Sequence, residues 1–248
     1  FILTARRETI LKDLKKKISL TYDISVDYIS ADLSSEDSPK NIYRFCKSKG
    51  YNIEILVNNA GYAIPDPFHL SSIDEEEKFL RVLSTSVIAL TKLFLKGMIK
   101  NKKGNILSIV TTYAWTGSPF VVPSAAAKAG VLAMTRSLAV EWGKHNIRFN
   151  AIAPGPFPTE GAWSRLMPPG FDDFEDGMKN KIPMKRFGER HELENLASYL
   201  MSDGSAYVNG EVITIDGGEW LAGAGEFSDL TKLPDSMWKA MADRRKKK

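Results

Sequence analysis

Residues 55–61, with the sequence Ile-Leu-Val-Asn-Asn-Ala-Gly, carry the clearest fold signal in the chain. Three consecutive apolar residues bounded by a turn are typical of a strand that is buried on both faces of a parallel sheet. The two amides and the small residues after them predict a strand end where a ligand can approach the backbone closely. On its own, the motif favours an ordinary turn that ends a strand.

Apolar segments suited to buried strands alternate with segments of helical periodicity on both sides of this stretch. The predicted strands are residues 1–4, 27–33, 53–57, 105–110, 147–153 and 212–215. The predicted helices are residues 8–20, 39–49, 74–100, 124–144 and 191–202. This alternation predicts a three-layer α/β/α fold, a Rossmann-type domain with a doubly wound parallel sheet, over residues 1–248.

Composition places the chain among ordinary soluble globular proteins, because 43% of its 248 residues are hydrophobic and 26% are charged. No stretch approaches the roughly 18 unbroken apolar residues that cross a bilayer, so we expect no membrane span. The net charge of +4 includes the basic run at residues 244–248, which we interpret as a solvated tail. We therefore expect no nucleic-acid partner.

Cysteine and histidine usage restricts the chemistry further. The single cysteine, Cys46, excludes an internal disulfide framework and fits a reducing compartment. We expect a cytoplasmic protein, or one of the mitochondrial matrix if the source is eukaryotic. The histidines at positions 69, 145 and 191 have no ligand spacing, so we predict no metal site.

The candidate catalytic residues lie in residues 111–117, Thr-Thr-Tyr-Ala-Trp-Thr-Gly, and in the Pro-Ser-Ala-Ala-Ala-Lys segment that follows. Ser124 and Lys128 are four residues apart at the start of a predicted helix, so they project from one face. A phenol has a pKa near 10 and is a poor acid at neutral pH, but a nearby ammonium group favours its ionised form. Tyr113 and Lys128 could form such a pair.

Four segments together resemble the short-chain dehydrogenase/reductase family: residues 58–61, 124–128, 150–155 and 215–218. That family normally carries a tyrosine four residues before its lysine, where this chain has Ser124. Its 2,4-dienoyl-CoA reductase branch instead takes the tyrosine from a strand-end segment fifteen residues before the lysine, and Tyr113 has that spacing. The similarity to this branch extends over residues 108–230.

The resemblance implies an NADPH-dependent reductase of acyl-CoA-type substrates, which converts 2,4-dienoyl-CoA to enoyl-CoA in unsaturated fatty-acid oxidation. Tyr113, Ser124 and Lys128 would be the catalytic residues, and Ser124 would also contact the substrate. Arg165 would bind the acyl-CoA, since a guanidinium suits phosphate. The alternative for Arg165 is a surface salt bridge.

The resemblance also implies a set of NADP-binding residues. Arg6 follows the first strand, where arginine accommodates the 2′-phosphate of NADP, although an arginine there could be an ordinary surface residue. Asp32 could bind the adenine amino group or simply cap a turn. The remaining implied cofactor-binding residues are Asn58, Ala60, Gly61, Lys128, Pro154, Gly155, Pro156, Phe157 and Thr159.

The resemblance to the 2,4-dienoyl-CoA reductase branch is weaker in the front half of the chain. Aligned without gaps, the sequence has Ala63 where the dienoyl-CoA reductase branch has an asparagine that binds the thioester carbonyl. Residues 1–100 look more like carbonyl-reducing members of the family, whose helix-borne catalytic asparagine corresponds to Ser86. A carbonyl or 3-oxoacyl reductase is therefore an alternative, and a non-catalytic nucleotide-fold scaffold is another.

Three expectations concern organisation. No strand with a Gly-rich phosphate-binding turn precedes residues 1–4, so we expect roughly 30 further residues upstream, without which two facing strand edges would be unpaired. Residues 154–188 are rich in Pro, Gly and Asp and predict a substrate-covering loop region with short helices. The helices 74–100 and 124–144 resemble the family's assembly faces and imply a homotetramer, although their apolar residues could equally form the core.

Overall fold

The protein has an α/β fold in a computed structural model that describes residues 1–62, 64–159 and 174–246. The strands are β1 (Ile2–Ala5), β2 (Asp27–Ser30), β3 (Ile55–Asn58), β4 (Gly104–Ile109), β5 (Ile147–Pro154) and β6 (Val212–Ile215). The α-helices are α1 (Glu8–Thr21), α2 (Ser38–Ser48), α3 (Ile73–Leu80), α4 (Ser86–Asn101), α5 (Tyr113–Thr116), α6 (Val122–Trp142), α7 (Phe174–Lys181), α8 (Arg190–Met201), α9 (Glu219–Ala224) and α10 (Asp235–Lys246).

Every strand pair is parallel, as the alternation of strands and helices predicts. β3, β4, β5 and β6 lie side by side in that order, and β1 pairs with β2 in a separate two-stranded sheet. The centre of the larger sheet is the most deeply buried part, since Leu107 of β4 and Ile152 of β5 are 0% exposed. β1 and β3 each have an edge without a partner strand among the described residues, and the upstream unit stays a prediction.

β3 differs from the prediction of a strand buried on both faces. Leu56 packs against the core, but Ile55 and Val57, which point to the opposite face, are 47% and 43% exposed. The physical reason is that no layer of the described residues covers this face of β3. In contrast, β4 and β5 carry helices on both faces and are buried almost throughout.

Residues 73–101 form one continuous helix that consists of α3, a π-helical turn at Arg81–Thr85, and α4. The helix begins where the Ser72 hydroxyl accepts the backbone N–H of Glu75, and it ends at Lys102 in the left-handed conformation. By length and composition alone it could cross a membrane, which is weak evidence because core helices pass the same test. Here its apolar side packs into the core through Leu90, Phe94, Leu95 and Met98.

Most predicted boundaries agree with the structure within about two residues, but β2 ends three residues early, at Ser30. The Asp32 carboxylate accepts the backbone N–H of Ser34 at 2.9 Å, and the Asp32 carbonyl accepts the Ser38 hydroxyl. These bonds turn the chain into α2, so the strand cannot continue to residue 33. Asp32 therefore caps a turn, which was one of its two alternatives.

The sequence did not predict the short helices α5 and α9 or the C-terminal helix α10. Within residues 154–188, α7 confirms that the predicted loop region contains a short helix. Residues 244–246 of the run interpreted as a solvated tail belong to α10, and Arg244 is exposed there. Asp235 lies in the first turn of that helix directly after Pro234, an arrangement that favours helix initiation.

The Asp27 carboxylate joins β2 to α1 and to the segment that follows α2. Oδ1 accepts a hydrogen bond from Lys15 Nζ at 2.9 Å, Oδ2 accepts one from the Tyr51 hydroxyl at 2.7 Å, and Lys49 Nζ lies 3.6 Å away. These bonds lower the pKa of Asp27 to about 2, and the bond from Lys15 has a larger effect than the bond from Tyr51. A lowered carboxyl pKa stabilises the folded state above the unfolded pKa, and this stabilisation is lost as the pH falls through the folded pKa.

We expect Asp27→Asn to destabilise the protein at pH 7 and to matter progressively less between about pH 4 and pH 2. Urea unfolding curves at several pH values in that window measure the difference from the wild type. Asp37→Asn is the matched control, because the Asp37 side chain is 70% exposed and its ion pair with Lys40 is long, at 3.6 Å. A difference that stays constant from pH 7 to pH 2 would contradict the expected role of the Asp27 charge.

Candidate active site

A hydrogen bond connects the end of β4 to the start of α6. Tyr113 opens α5, four residues after β4 ends, and its hydroxyl oxygen lies 3.1 Å from the Ser124 Oγ atom. Either hydroxyl can donate. Ser124 is buried in the first turn of α6, which begins at Val122 because Pro123 suits the first turn of a helix. The structure therefore brings Tyr113 and Ser124 together as predicted.

Lys128 lies one helical turn after Ser124 and reaches the same end of the sheet. Its Nζ atom donates to the carbonyl oxygen of Ile109, the last residue of β4, at 2.5 Å. Burial lowers the pKa of Lys128 to about 8, since removal from water disfavours the ammonium form. No hydrogen bond joins Lys128 to Tyr113, so the direct pairing of these two groups is absent and each has another partner.

The end of β3 completes this side of the site. Asn58 is buried, and its Nδ2 donates to the Ser108 hydroxyl at 3.3 Å, so this amide ties β3 to β4. Ala60 and Gly61 follow in exposed positions. A Cβ atom at Gly61 would lie 3.0 Å from Leu83 Cδ2 and 3.9 Å from Lys128 Nζ. The backbone of Gly61 therefore lies close to Lys128, and the cofactor-binding roles of both residues stay predictions.

The segment after β5 forms the opposite side of the site. Gly155 packs against Asp216, which follows β6, and a Cβ atom at Gly155 would lie 2.6 Å from Asp216 Cβ. The Phe157 ring packs directly on Gly188, whose backbone N–H donates to Pro156 at 3.0 Å. Because the Phe157 ring packs against Gly188, residues Pro154–Pro156 are the candidate ligand-binding surface of this segment.

Other predicted residues lie farther out or outside the described residues. Thr159 is exposed beyond the β5 end, whereas Arg165 and Ala63 fall outside the described residues. Arg6 is exposed after β1, and the Ser30 hydroxyl donates to its carbonyl at 3.0 Å. The pKa of Asp32 is lowered mainly by the Ser34 N–H and also by the Arg6 charge, so these two predicted cofactor residues lie near one another.

Ser86 does not act as a free polar group in the site. Ser86 is the first residue of α4, and its buried hydroxyl donates at 2.8 Å to the carbonyl of Val82 in the preceding π-helical turn. Such turns are frequent at functional sites, and this one packs against α6 near Ala127. In the described ranges, no group of three or more His, Cys, Asp or Glu side chains is placed to hold a metal ion.

Sequence reasoning missed an aromatic pair beside the site. Trp115 of α5 and Trp220 of α9 have ring centroids 5.3 Å apart with an interplanar angle of 35°. The two residues are far apart in sequence, and neither lies in a periodic apolar segment. Their pairing depends on the adjacency of the β4, β5 and β6 ends, so no local signal could have revealed it.

The fold is that of a nucleotide-binding oxidoreductase. The family model described as Enoyl-(Acyl carrier protein) reductase matches residues 2–219. The chain belongs to the short-chain dehydrogenase/reductase family of oxidoreductases.

Two relatives are described as probable 2,4-dienoyl-CoA reductases. The Bacillus subtilis protein, described as producing (2E)-enoyl-CoA, is 34% identical over 225 residues, which are 89% of this chain and 86% of that protein. A Caenorhabditis elegans protein, described as producing (3E)-enoyl-CoA, is 42% identical over 167 residues, or 67% of this chain. The chain spans about half the length of that relative, 54%.

A solved structure has the same fold. Gluconate 5-dehydrogenase from Burkholderia cenocepacia, in complex with NADP and tartrate, superposes with a TM-score of 0.79 and 26% sequence identity. The match covers 88% of this chain and 84% of the other. The Rossmann-type fold that the sequence predicts is thereby confirmed.

Proposed function

We propose that this protein is an NADPH-dependent reductase that converts 2,4-dienoyl-CoA to enoyl-CoA in unsaturated fatty-acid oxidation. The observation that carries the proposal is the 3.1 Å contact between the Tyr113 hydroxyl and Ser124 Oγ. It places a phenol at the start of α6, although the family's usual tyrosine position holds a serine. The names of the B. subtilis and C. elegans relatives support the same substrate class.

The residues present fit NADP at both of its ends. The close approach of the Gly61 backbone to Lys128 Nζ leaves a surface without a side chain where a nicotinamide ribose can lie. Arg6 offers an exposed guanidinium at the end of β1 for the 2′-phosphate, which favours NADP over NAD. The NADP in the gluconate 5-dehydrogenase structure supports this assignment.

The chain's own groups would stabilise negative charge and move a proton. When bound, NADPH supplies the hydride, which adds to carbon 5 of the dienoyl thioester. Tyr113 would donate a hydrogen bond to the thioester oxygen as the charge develops there, and Ser124 would orient the phenol. Lys128, whose Nζ atom bonds to the Ile109 carbonyl and not to Tyr113, would hold the nicotinamide ribose. One proton returned to the substrate carbon chain gives the enoyl-CoA.

NADPH oxidation by the protein expressed from its complete gene tests this proposal, with 2,4-decadienoyl-CoA and a 3-oxoacyl-CoA of equal chain length as substrates. We expect turnover of the dienoyl-CoA and at least about tenfold lower kcat/KM for the ketone, since a misplaced reacting carbon loses near-attack geometry. Activity with the ketone alone would overturn the proposal. A protein that fails to bind NADPH in calorimetry would instead be a non-catalytic scaffold.

A carbonyl or 3-oxoacyl reductase is the second candidate function. It is favoured by the front half of the chain, where Ala63 stands at the position of the asparagine that binds the thioester carbonyl in the dienoyl-CoA reductase branch. Ser86, at the position of the catalytic asparagine of carbonyl-reducing members, donates its hydroxyl to Val82, so Tyr113 and Ser124 would have to polarise the substrate oxygen. The similarity to gluconate 5-dehydrogenase also supports this class.

We expect Arg6→Glu to weaken NADPH binding by about 10- to 100-fold, since a charge-assisted hydrogen bond to phosphate is lost and a repulsive charge replaces it. NADH binding should change much less, because NADH lacks the 2′-phosphate. Calorimetry with both cofactors measures the ratio. Arg7→Glu is the matched control at the neighbouring exposed arginine, and an equal loss in both variants would contradict the assignment of Arg6.

We also propose a homotetramer assembled through the long helices. Ile88 of α4 is 48% exposed and Val140 of α6 is 86% exposed, and such apolar positions on helices favour burial against another subunit. Light scattering is expected to give four times the chain mass, and Val140→Arg should reduce it. A wild-type protein with the mass of one chain would contradict the proposal.

A further inference from the structure

The tryptophan pair, Trp115 and Trp220, lies across the carboxyl ends of three neighbouring strands. Trp115 belongs to α5, which follows β4, and Trp220 belongs to α9, which follows β6. Since β5 lies between β4 and β6, their 5.3 Å contact bridges the end of β5. In open parallel sheets this crevice is where ligands bind. The pair therefore forms part of the wall of the site that contains Tyr113.

Contacts with the rest of the fold fix the backbone of Trp220 and the ring of Trp115. The backbone N–H of Trp220 donates to Asp216 Oδ2 at 2.8 Å, and Asp216 is itself packed against Gly155. Trp115 packs on a buried cluster whose members come from α4, α6, β5 and β6 and the residue after β4. Each indole is half-buried, so each retains an accessible part. A wall fixed in this way can select a ligand by shape.

The charges beside the pair indicate which part of an acyl-CoA it would contact. Asp216 and the half-buried Glu219 flank Trp220, and Glu219 Oε2 would lie 3.5 Å from a Cβ atom at Gly155. Carboxylates at this position repel the phosphates of coenzyme A. The uncharged acyl chain is the part of the substrate that this side can accept, and flat indoles bury apolar chains with little loss of side-chain freedom.

From these observations we infer that Trp115 and Trp220 form the acyl-chain wall of the substrate site and set its preference for chain length. The inference rests on the proposed function, since it takes an acyl thioester as the substrate. Carbons beyond the reacting diene would lie on the indoles, so a long chain gains more from the pair than a short one. A 2,4-hexadienoyl chain ends one carbon after the reacting carbon and would touch the pair least.

The test compares 2,4-decadienoyl-CoA with 2,4-hexadienoyl-CoA as substrates of wild-type protein and Trp220→Leu, both expressed from the complete gene. We expect kcat/KM for the ten-carbon substrate to fall by about tenfold, mainly through KM, and that for the six-carbon substrate to change by less than about threefold. Trp238→Leu is the matched control, because Trp238 is 40% exposed on α10. It should leave both values unchanged.

The outcomes separate the inference from the proposed function. A wild type that reduces neither dienoyl-CoA would overturn the proposed function, and this inference with it. A wild type that reduces both, with equal losses for the two substrates in Trp220→Leu, would overturn the inference alone. If Trp220→Leu does not fold by circular dichroism, Trp220→Phe replaces it and should give a smaller loss with the same chain-length dependence. Equal losses in that variant count against the inference in the same way.

Discussion

Tyr113→Phe is expected to lower kcat for 2,4-dienoyl-CoA reduction by about 100- to 1,000-fold while NADPH binding stays within about twofold of the wild type. The phenylalanine ring keeps the shape of Tyr113 but removes the hydroxyl that lies 3.1 Å from Ser124 Oγ. That hydroxyl is the group we assign to the developing oxyanion, so the loss should appear in the chemical step. Single-turnover kinetics with saturating NADPH measures it directly.

Two further variants are compared with Tyr113→Phe. Tyr22→Phe removes the hydroxyl of a tyrosine that is 61% exposed after α1, and it should leave kcat unchanged. Ser124→Ala should cost less than Tyr113→Phe, roughly tenfold, because it removes a hydrogen bond that orients the phenol and leaves the phenol itself. The reverse order, with Ser124→Ala inactive and Tyr113→Phe active, would show that the position at the start of α6 carries the chemistry.

Lys128→Met is expected to abolish detectable reduction and at the same time to stabilise the protein without ligands. Burial lowers the pKa of Lys128 to about 8 from an ordinary value of 10.5, so the folded state binds its proton less well than the unfolded state. Methionine keeps most of the side-chain volume without the charge. After the lost bond to the Ile109 carbonyl is counted, we expect a gain of about 1–3 kcal/mol in the free energy of unfolding at pH 7.

The pH dependence distinguishes this effect from general repacking. The cost of the buried ammonium is fully present below about pH 8 and fades as the pH rises towards 10.5, because the unfolded chain then loses the same proton. The stability advantage of Lys128→Met should therefore shrink over that interval in urea unfolding curves. Lys92→Met, at an exposed position on α4, should show no such trend. A constant advantage at every pH would contradict the assigned cause.

The strands and long helices could be predicted because their signals are local. Residues 212–215 form the predicted strand, and the helix from Ile73 to Asn101 was predicted to within one residue at each end. Apolar periodicity and caps such as Ser72 are read from neighbouring residues, so they need no knowledge of the rest of the fold. The spacing of Tyr113, Ser124 and Lys128 was equally readable, and the Tyr113–Ser124 contact agrees with it.

The parts that the sequence could not give depend on partners far away in the chain. Ile55 and Val57 are exposed because no layer of the described residues covers their face of β3. The apolar sequence of the strand does not indicate whether such a layer is present. Lys128 was expected beside Tyr113, but its ammonium bonds to the Ile109 carbonyl. Because this acceptor is a backbone carbonyl, which every residue type has, the sequence could not reveal the bond. The Trp115–Trp220 contact depends on strand order alone.

The most direct test of the site is the position to which the hydride goes. NADPH labelled with deuterium at carbon 4, each diastereomer in turn, is mixed with 2,4-decadienoyl-CoA and the protein expressed from its complete gene. Mass spectrometry and NMR then locate the label in the product. We predict an enoyl-CoA that carries the deuterium at carbon 5 from one of the two diastereomers, with label transfer strongly slowed in Tyr113→Phe. No label in the dienoyl-derived product, together with deuterium at carbon 3 of the product when a 3-oxoacyl-CoA is the substrate instead, would contradict conjugate reduction at this site.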